Sequence, residues 1–232
     1  MKRIGLIGGI GPESTIEYYR LLIKGYQESL QTTHYPEILL QTVDMTEMLT
    51  YAFGGELDKL VDFLKGKIAR LEKAGVDYVA LTSNTPHLVF DELQAEVAVK
   101  LISIVEETSK QMVNSATKKV GLLGTKSTMT KGFYQRVAAH HGIEIVIPSE
   151  EHQDYIHTKY MNELLYNHIV SETKAQLIQI IRGLQSQEAI EGIILGGTEL
   201  PLILQQTDFH DLRVFNTTEI HVDAILQRMM AE

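Results

Sequence analysis

The side chains best suited to chemistry gather in two short stretches. "TSNTPH", residues 82 to 87, sets hydroxyls at Thr82, Ser83 and Thr85, an amide at Asn84 and an imidazole at His87. "GGTE", residues 196 to 199, follows two glycines with the hydroxyl of Thr198 and the carboxylate of Glu199. Hydroxyls, an amide and free backbone N–H groups at a strand end suit the binding of a small carboxylate. Glu199 or His87 would be the groups to move a proton near neutral pH. Each has a plainer structural reading too: Ser83, Asn84 or Thr85 as a helix cap, Glu199 as a first-turn acid beside a helix dipole, and His87 and the later His221 as core histidines. Gly197 offers only backbone. The chain has no cysteine, which excludes disulfides, Cys-ligated zinc, iron–sulfur clusters and any thiol nucleophile.

Other motifs are weaker. "GGIGPES" carries Gly9, Gly11 and Ser14 and half matches the dinucleotide fingerprint, but Asp44, the acid that would hold a ribose, lies 33 residues beyond Gly11 instead of ~20. A tight turn before a helix N-terminus that faces a small anion explains the glycines as well. His140, His141, His152 and His157 lack the spacing of a metal site, and no metal is expected. The acidic run "SEEHQD", 149 to 154, reads as a solvated loop or a helix start.

Short apolar runs must position these residues: 3–9, 37–43, 77–83, 100–105, 119–125, 143–148, 192–197 and 213–216. They are continuous rather than alternating, the pattern of parallel strands buried on both faces. Helical periods lie between them. Pro12 suits a first helical turn, and Leu57, Leu60, Leu64, Ile68 and Leu71 share one face of a helix that Gly75 ends. "RIGLIGGIGPEST" is echoed by "KVGLLGTKSTMT", and "YVALTSNTPH" by "GIILGGTELP". Gly5 precedes Ser83 by 78 residues and Gly121 precedes Gly197 by 76. Two motifs repeating at nearly one separation predict two similar α/β halves, residues 1–98 with 217–232 and residues 99–216. Ligands of open α/β sheets bind beyond the carboxyl ends of the strands, so a cleft between the halves is expected. Gly8 to Glu13, Thr82 to Thr85, Thr125 to Met129 and Gly196 to Glu199 would line it.

Composition narrows the partners. At 232 residues, 44% hydrophobic and 22% charged, the chain can bury a sizeable core. Its 21 Lys and Arg are scattered and the net charge is −9, which argues against nucleic acid or an anionic membrane surface. No apolar run approaches the ~20 residues that span a bilayer, and a cytoplasmic protein is the simplest expectation.

Taken in order, "IGLIGGIGPEST" with Tyr18 and Tyr19, "SNTPH", "LLGTKSTM", "GGTEL" and "VFNTTEIH" resemble the aspartate/glutamate racemase family of cofactor-independent amino-acid racemases, across essentially the whole chain. The resemblance implies two α/β halves in pseudo-twofold relation, a site in the cleft between them, no cofactor, commonly a homodimer, and removal of an α-proton on one face of the substrate with its return on the other. In the family pattern one cysteine stands directly before Asn-Thr and another directly before Thr-Glu. Here those places hold Ser83 and Gly197. A thiol has a pKa of ~8.5 and is readily tuned, whereas a serine hydroxyl needs an adjacent base. Each lost acid–base group is worth about 10²- to 10⁴-fold, roughly 3 to 5 kcal/mol.

The expectation is therefore a racemase-family protein that binds a small acidic amino acid or dicarboxylate through Gly9, Gly11, Asn84, Thr85, Thr125 and Thr198. If it turns over, Ser83 would act with help from His87 or Glu199. The alternative is a catalytically impaired homologue that serves as an amino-acid-binding protein, and a third reading keeps the fold but changes the reaction on a related acid.

Overall fold

β-Branched and leucine-rich runs make eight strands, each inside an apolar run of the sequence: β1 Ile4–Gly8, β2 Ile38–Thr42, β3 Tyr78–Leu81, β4 Lys100–Ile102, β5 Lys119–Gly124, β6 Glu144–Val146, β7 Gly192–Gly196 and β8 Arg213–Asn216. The structure, a computed structural model, describes residues 1–231. All strand pairs are parallel, in two four-stranded sheets of order β2-β1-β3-β4 and β6-β5-β7-β8. The repeated motifs thus correspond to repeated topology: β1 and β5 take the same place in their sheets, as do β3 and β7.

Burial on both faces holds only for the inner strands. β1 and β7 are buried throughout. The edge strands β2, β4, β6 and β8 are part-exposed, because an edge has a neighbour on one side only.

The chain divides into two compact units, Met1–Ile104 with Thr218–Glu232, and Val105–Thr217. β4, placed in the second half by the 98/99 boundary, pairs with β3 from Tyr78↔Lys100 to Ala80↔Ile102 and so completes the first sheet.

In the first unit, helix α1, Pro12–Leu30, begins on Pro12. Helices α2, Met45–Gly54, and α3, Leu57–Lys73, follow. Four of the five apolar residues named for α3 are buried, but Leu57 at its first turn is 38% exposed. Gly75 ends this segment at φ +77, the left-handed conformation that glycine adopts at little cost. Helix α4, Phe90–Glu96, precedes β4. The core packs Tyr18, Leu22 and Tyr26 of α1 against Ile4, Leu6, Ala80 and Ile102 of the sheet. It is completed by Val222, Ile225 and Met229 of the last helix, Thr217–Met230.

In the second unit, helix α5, Ile104–Asn114, leads to β5. Helices α6, Lys126–Thr130, and α7, Phe133–His140, follow it. The acidic run is a helix start: Ser149 accepts a bond from the His152 amide at 3.4 Å and caps α8, Glu150–Asn162. Helix α9, Ser171–Glu188, precedes β7. The last helix of the chain, Thr217–Met230, is α10. Among the described residues no helix is long and apolar enough to cross a membrane.

Candidate functional site

Each unit carries a pair of loops at the carboxyl ends of its two inner strands. In the first unit, Gly9 leaves β1 at φ +85, and a Cβ there would lie 2.9 Å from the Val43 carbonyl oxygen, so only glycine fits. Its amide donates to Thr15 Oγ1 at 2.8 Å, and that hydroxyl donates onward to the Gly11 carbonyl at 3.0 Å. Ser14 Oγ donates to the Thr82 carbonyl at 2.8 Å. The Gly9 amide is thus used within the loop, and Ser14 and Thr15 lock the β1 loop to the end of β3.

Thr82, Ser83, Asn84 and Thr85 are all buried, at the start of a 3-10 turn, Thr85–Val89. Asn84 occupies the cap position of that turn without a capping bond from its side chain. The capping reading of this residue therefore does not explain it.

His87 is 2% exposed and faces backbone at both nitrogens. The Ile104 amide donates to Nε2 at 3.1 Å, so Nε2 is the bare nitrogen, and Nδ1–H donates to the Ser83 carbonyl oxygen at 3.0 Å. Burial, then the neighbouring His221, push its pKa from 6.5 down to about 3. It bonds to the carbonyl of Ser83 with one nitrogen and to Ile104 with the other. That geometry fixes the position of the loop and leaves no nitrogen to activate the serine hydroxyl.

His221 is built the same way. Its Nε2–H donates to the Ile102 carbonyl at 2.9 Å and its Nδ1 accepts from the Tyr18 hydroxyl at 2.8 Å. Burial lowers its pKa to about 4. Two neutral imidazoles, 6.2 Å apart and edge to face, thus strap both ends of the 102–104 segment to the Ser83 loop and to α1.

In the second unit, Thr125 caps α6: its Oγ1 accepts from the Thr128 amide at 3.2 Å and shares a 3.0 Å bond with Thr128 Oγ1. Within that turn the Ser127 hydroxyl is buried and, among the described residues, has no hydrogen-bond partner. Leaving such a group unpaired costs about 1–3 kcal/mol, a cost an incoming acceptor would remove. Ser127 lies inside the quoted "LLGTKSTM", but nothing in its spacing distinguishes it from Thr125 or Thr128.

After β7, Gly197 to Glu199 run into a short 3-10 turn, Leu200–Leu202, rather than a helix. Glu199 is 1% exposed, and its carboxylate is held in place by side chains. The Thr198 hydroxyl donates to Oε2 at 3.0 Å, and the Tyr160 hydroxyl donates to the same oxygen. Tyr160 comes from α8 and explains Gly197. A Cβ at position 197 would lie 2.3 Å from Tyr160 Cε2, 2.9 Å from Cζ and 3.0 Å from the phenol oxygen. No positive φ is involved: the residue is glycine because an aromatic ring occupies the side-chain space. Burial, then the charge of Glu199, hold the Tyr160 pKa well above 10, so its proton stays on at neutral pH.

Two parallel α/β sheets of identical strand order, with polar loops at matching strand ends, define the class to which the Asp/Glu/hydantoin racemases belong. The sequence pattern of that family matches residues 7–225, and the chain belongs to it. The broad specificity amino-acid racemase RacX of Bacillus subtilis (strain 168) is 32% identical over 151 residues, a match that spans 62% of this chain and 63% of RacX. Among solved structures, a candidate Asp/Glu racemase from Yersinia pestis superposes with a TM-score of 0.91 at 31% identity, over 100% of both chains. An aspartate racemase homologue from Pyrococcus horikoshii OT3 gives 0.86 at 35%, also over 100% of both.

Proposed function

We propose that this protein binds a small acidic amino acid, or a dicarboxylate of that size, and acts on its α-carbon without a cofactor. The observation that carries the reading is the matched chemistry of the two units. Each ends its inner strands in buried hydroxyls beside helix or 3-10 starts, and one of those hydroxyls, on Ser127, is buried without a partner. In this reading Ser83, Asn84 and Thr85 are the first unit's ligand-binding candidates, and Ser127, Thr198 and Glu199 are the second unit's. Thr125, Gly9 and Gly11 shape the loops. Glu199 is the proton-moving group and His87 is a positioning residue.

A specific observation also favours the alternative, an amino-acid-binding protein with little turnover. The place of the second thiol is filled by the ring of Tyr160, and the first carries only a hydroxyl. One experiment separates the two: calorimetric titration with both enantiomers of aspartate and glutamate, together with α-hydrogen exchange in D₂O followed by NMR. Binding with exchange supports the enzyme, and binding without exchange supports the module. No binding of any of the four ligands removes both. A homodimer, which the family suggests, is checked by sedimentation of the same sample.

A further inference from the structure

Where a side chain at 197 would project, the structure holds a phenol and a carboxylate in contact. A Cβ at 197 would lie 3.0 Å from the Tyr160 oxygen, and that oxygen donates its proton to Glu199 Oε2. The phenol oxygen and the ring therefore lie against the point from which any side chain at 197 would start. Tyr160 is 6% exposed and Glu199 1%, so few waters compete for either group.

We propose that Tyr160 and Glu199 together form a proton relay that stands in for the missing residue and works on one face of the α-carbon. The relay rests on the amino-acid-binding reading above. In the forward step the phenol oxygen takes the α-proton while its own hydroxyl proton passes to Glu199 Oε2. The Cα–H bond breaks and leaves its electron pair on the α-carbon, where it delocalises into the adjacent carboxylate. A new O–H bond forms at Tyr160, the old one breaks, and Glu199 becomes a carboxylic acid. In between, the Tyr160 hydroxyl and the Glu199 acid proton both exchange with solvent, so the reverse step delivers a solvent-derived proton from Tyr160 to the same face while Glu199 returns its proton to the phenol oxygen. Tyr160 is neutral at both ends, so a phenol that resists ionisation still transmits a proton. Base strength comes from the carboxylate, and reach comes from the ring.

The three side chains form one device. The ring can lie where it does only because residue 197 has no Cβ, and Thr198 orients the carboxylate by donating to the same oxygen that the phenol uses.

The test is α-hydrogen exchange in D₂O of each enantiomer of aspartate and glutamate, with binding measured in parallel by calorimetry. The wild-type chain is expected to exchange one enantiomer. Tyr160→Phe keeps the ring beside Gly197 and removes only the oxygen, so exchange should fall at least ~100-fold while the dissociation constant stays within about 3-fold. Glu199→Gln, nearly the same size, should lose exchange for the same enantiomer, and a thermal melt of each variant reports its folding. Wild-type exchange rates in Tyr160→Phe overturn the relay. So does binding without any exchange in the wild-type chain, an outcome that leaves the binding reading standing. Failure to bind any of the four ligands removes the binding reading and the relay together.

Discussion

Gly197 is held at glycine by packing, and that has a measurable consequence. Gly197→Ala places a methyl group 2.3 Å from Tyr160 Cε2, a contact no real pair of carbons sustains. Overpacking of this kind costs about 1–3 kcal/mol. The same substitution in a Tyr160→Ala background should cost under about 0.5 kcal/mol, because the opposing ring is gone. Urea denaturation of the four proteins in this double-mutant cycle measures the coupling, and additive effects would contradict the packing account. The contact also bears on any attempt to rebuild the family's thiol pair. Ser83→Cys with Gly197→Cys should gain racemisation only when Tyr160 is also reduced to a small residue, as a chiral assay of product would show. The substitution at 197 was legible in the sequence because two motifs repeat at almost equal separation. Its cause was not. Tyr160 lies 39 residues before Glu199 on a helix whose own sequence marks it only as another buried position, and nothing short of the fold brings the two together.

Between elements, the buried histidines hold the segment that joins β4 to α5. Both are neutral in the native protein, with pKa values near 3 for His87 and 4 for His221 against 6.5 in an unfolded chain. Above pH 6.5 neither state binds the protons, and the contribution to stability is complete. As pH falls below 6.5 the unfolded chain gains protons that the folded one refuses, so stability declines until the folded pKa values are reached. The slope is up to about 1.4 kcal/mol per pH unit for each histidine. NMR titration should find both imidazoles uncharged down to pH ~5, and a midpoint near 6.5 for either would refute the strapping role. In sequence these residues read as possible proton carriers, since histidine type and placement near a strand end are shared by both roles. The discriminating facts are the Ile104 amide and the Ile102 carbonyl, which reach the rings from a different strand end. The regular elements were easier to read. Continuous apolar runs located the eight strands of the described residues, but the same pattern overstated burial at β2 and β6, because it is the order of strands in the sheet that leaves one side of each without a neighbour.

At the scale of the molecule, the first unit is discontinuous. Its core contains Val222, Ile225 and Met229 from α10, which follows the whole second unit in the chain. Ile225 is fully buried, and Ile225→Ala should cost about 2–5 kcal/mol, read as faster amide exchange in β1 and β3. The sequence suggested this return of the C-terminal helix, but the unit boundary lay several residues later than the repeat placed it, because hydrogen bonding to β3 claims Lys100–Ile102. The arrangement also sets an order of events at the ribosome. Domains generally form as units while the chain is still emerging. The second unit is one continuous stretch and has all its residues once Thr217 is out. The first has most of its residues far earlier, yet it must wait with an open hydrophobic face until the last helix is made. Chains of residues 1–217 held on the ribosome by an appended linker long enough to span the exit tunnel should therefore protect β5 and β7 from proteolysis while β1 and β3 remain cleavable, so that the part synthesised first is the part finished last.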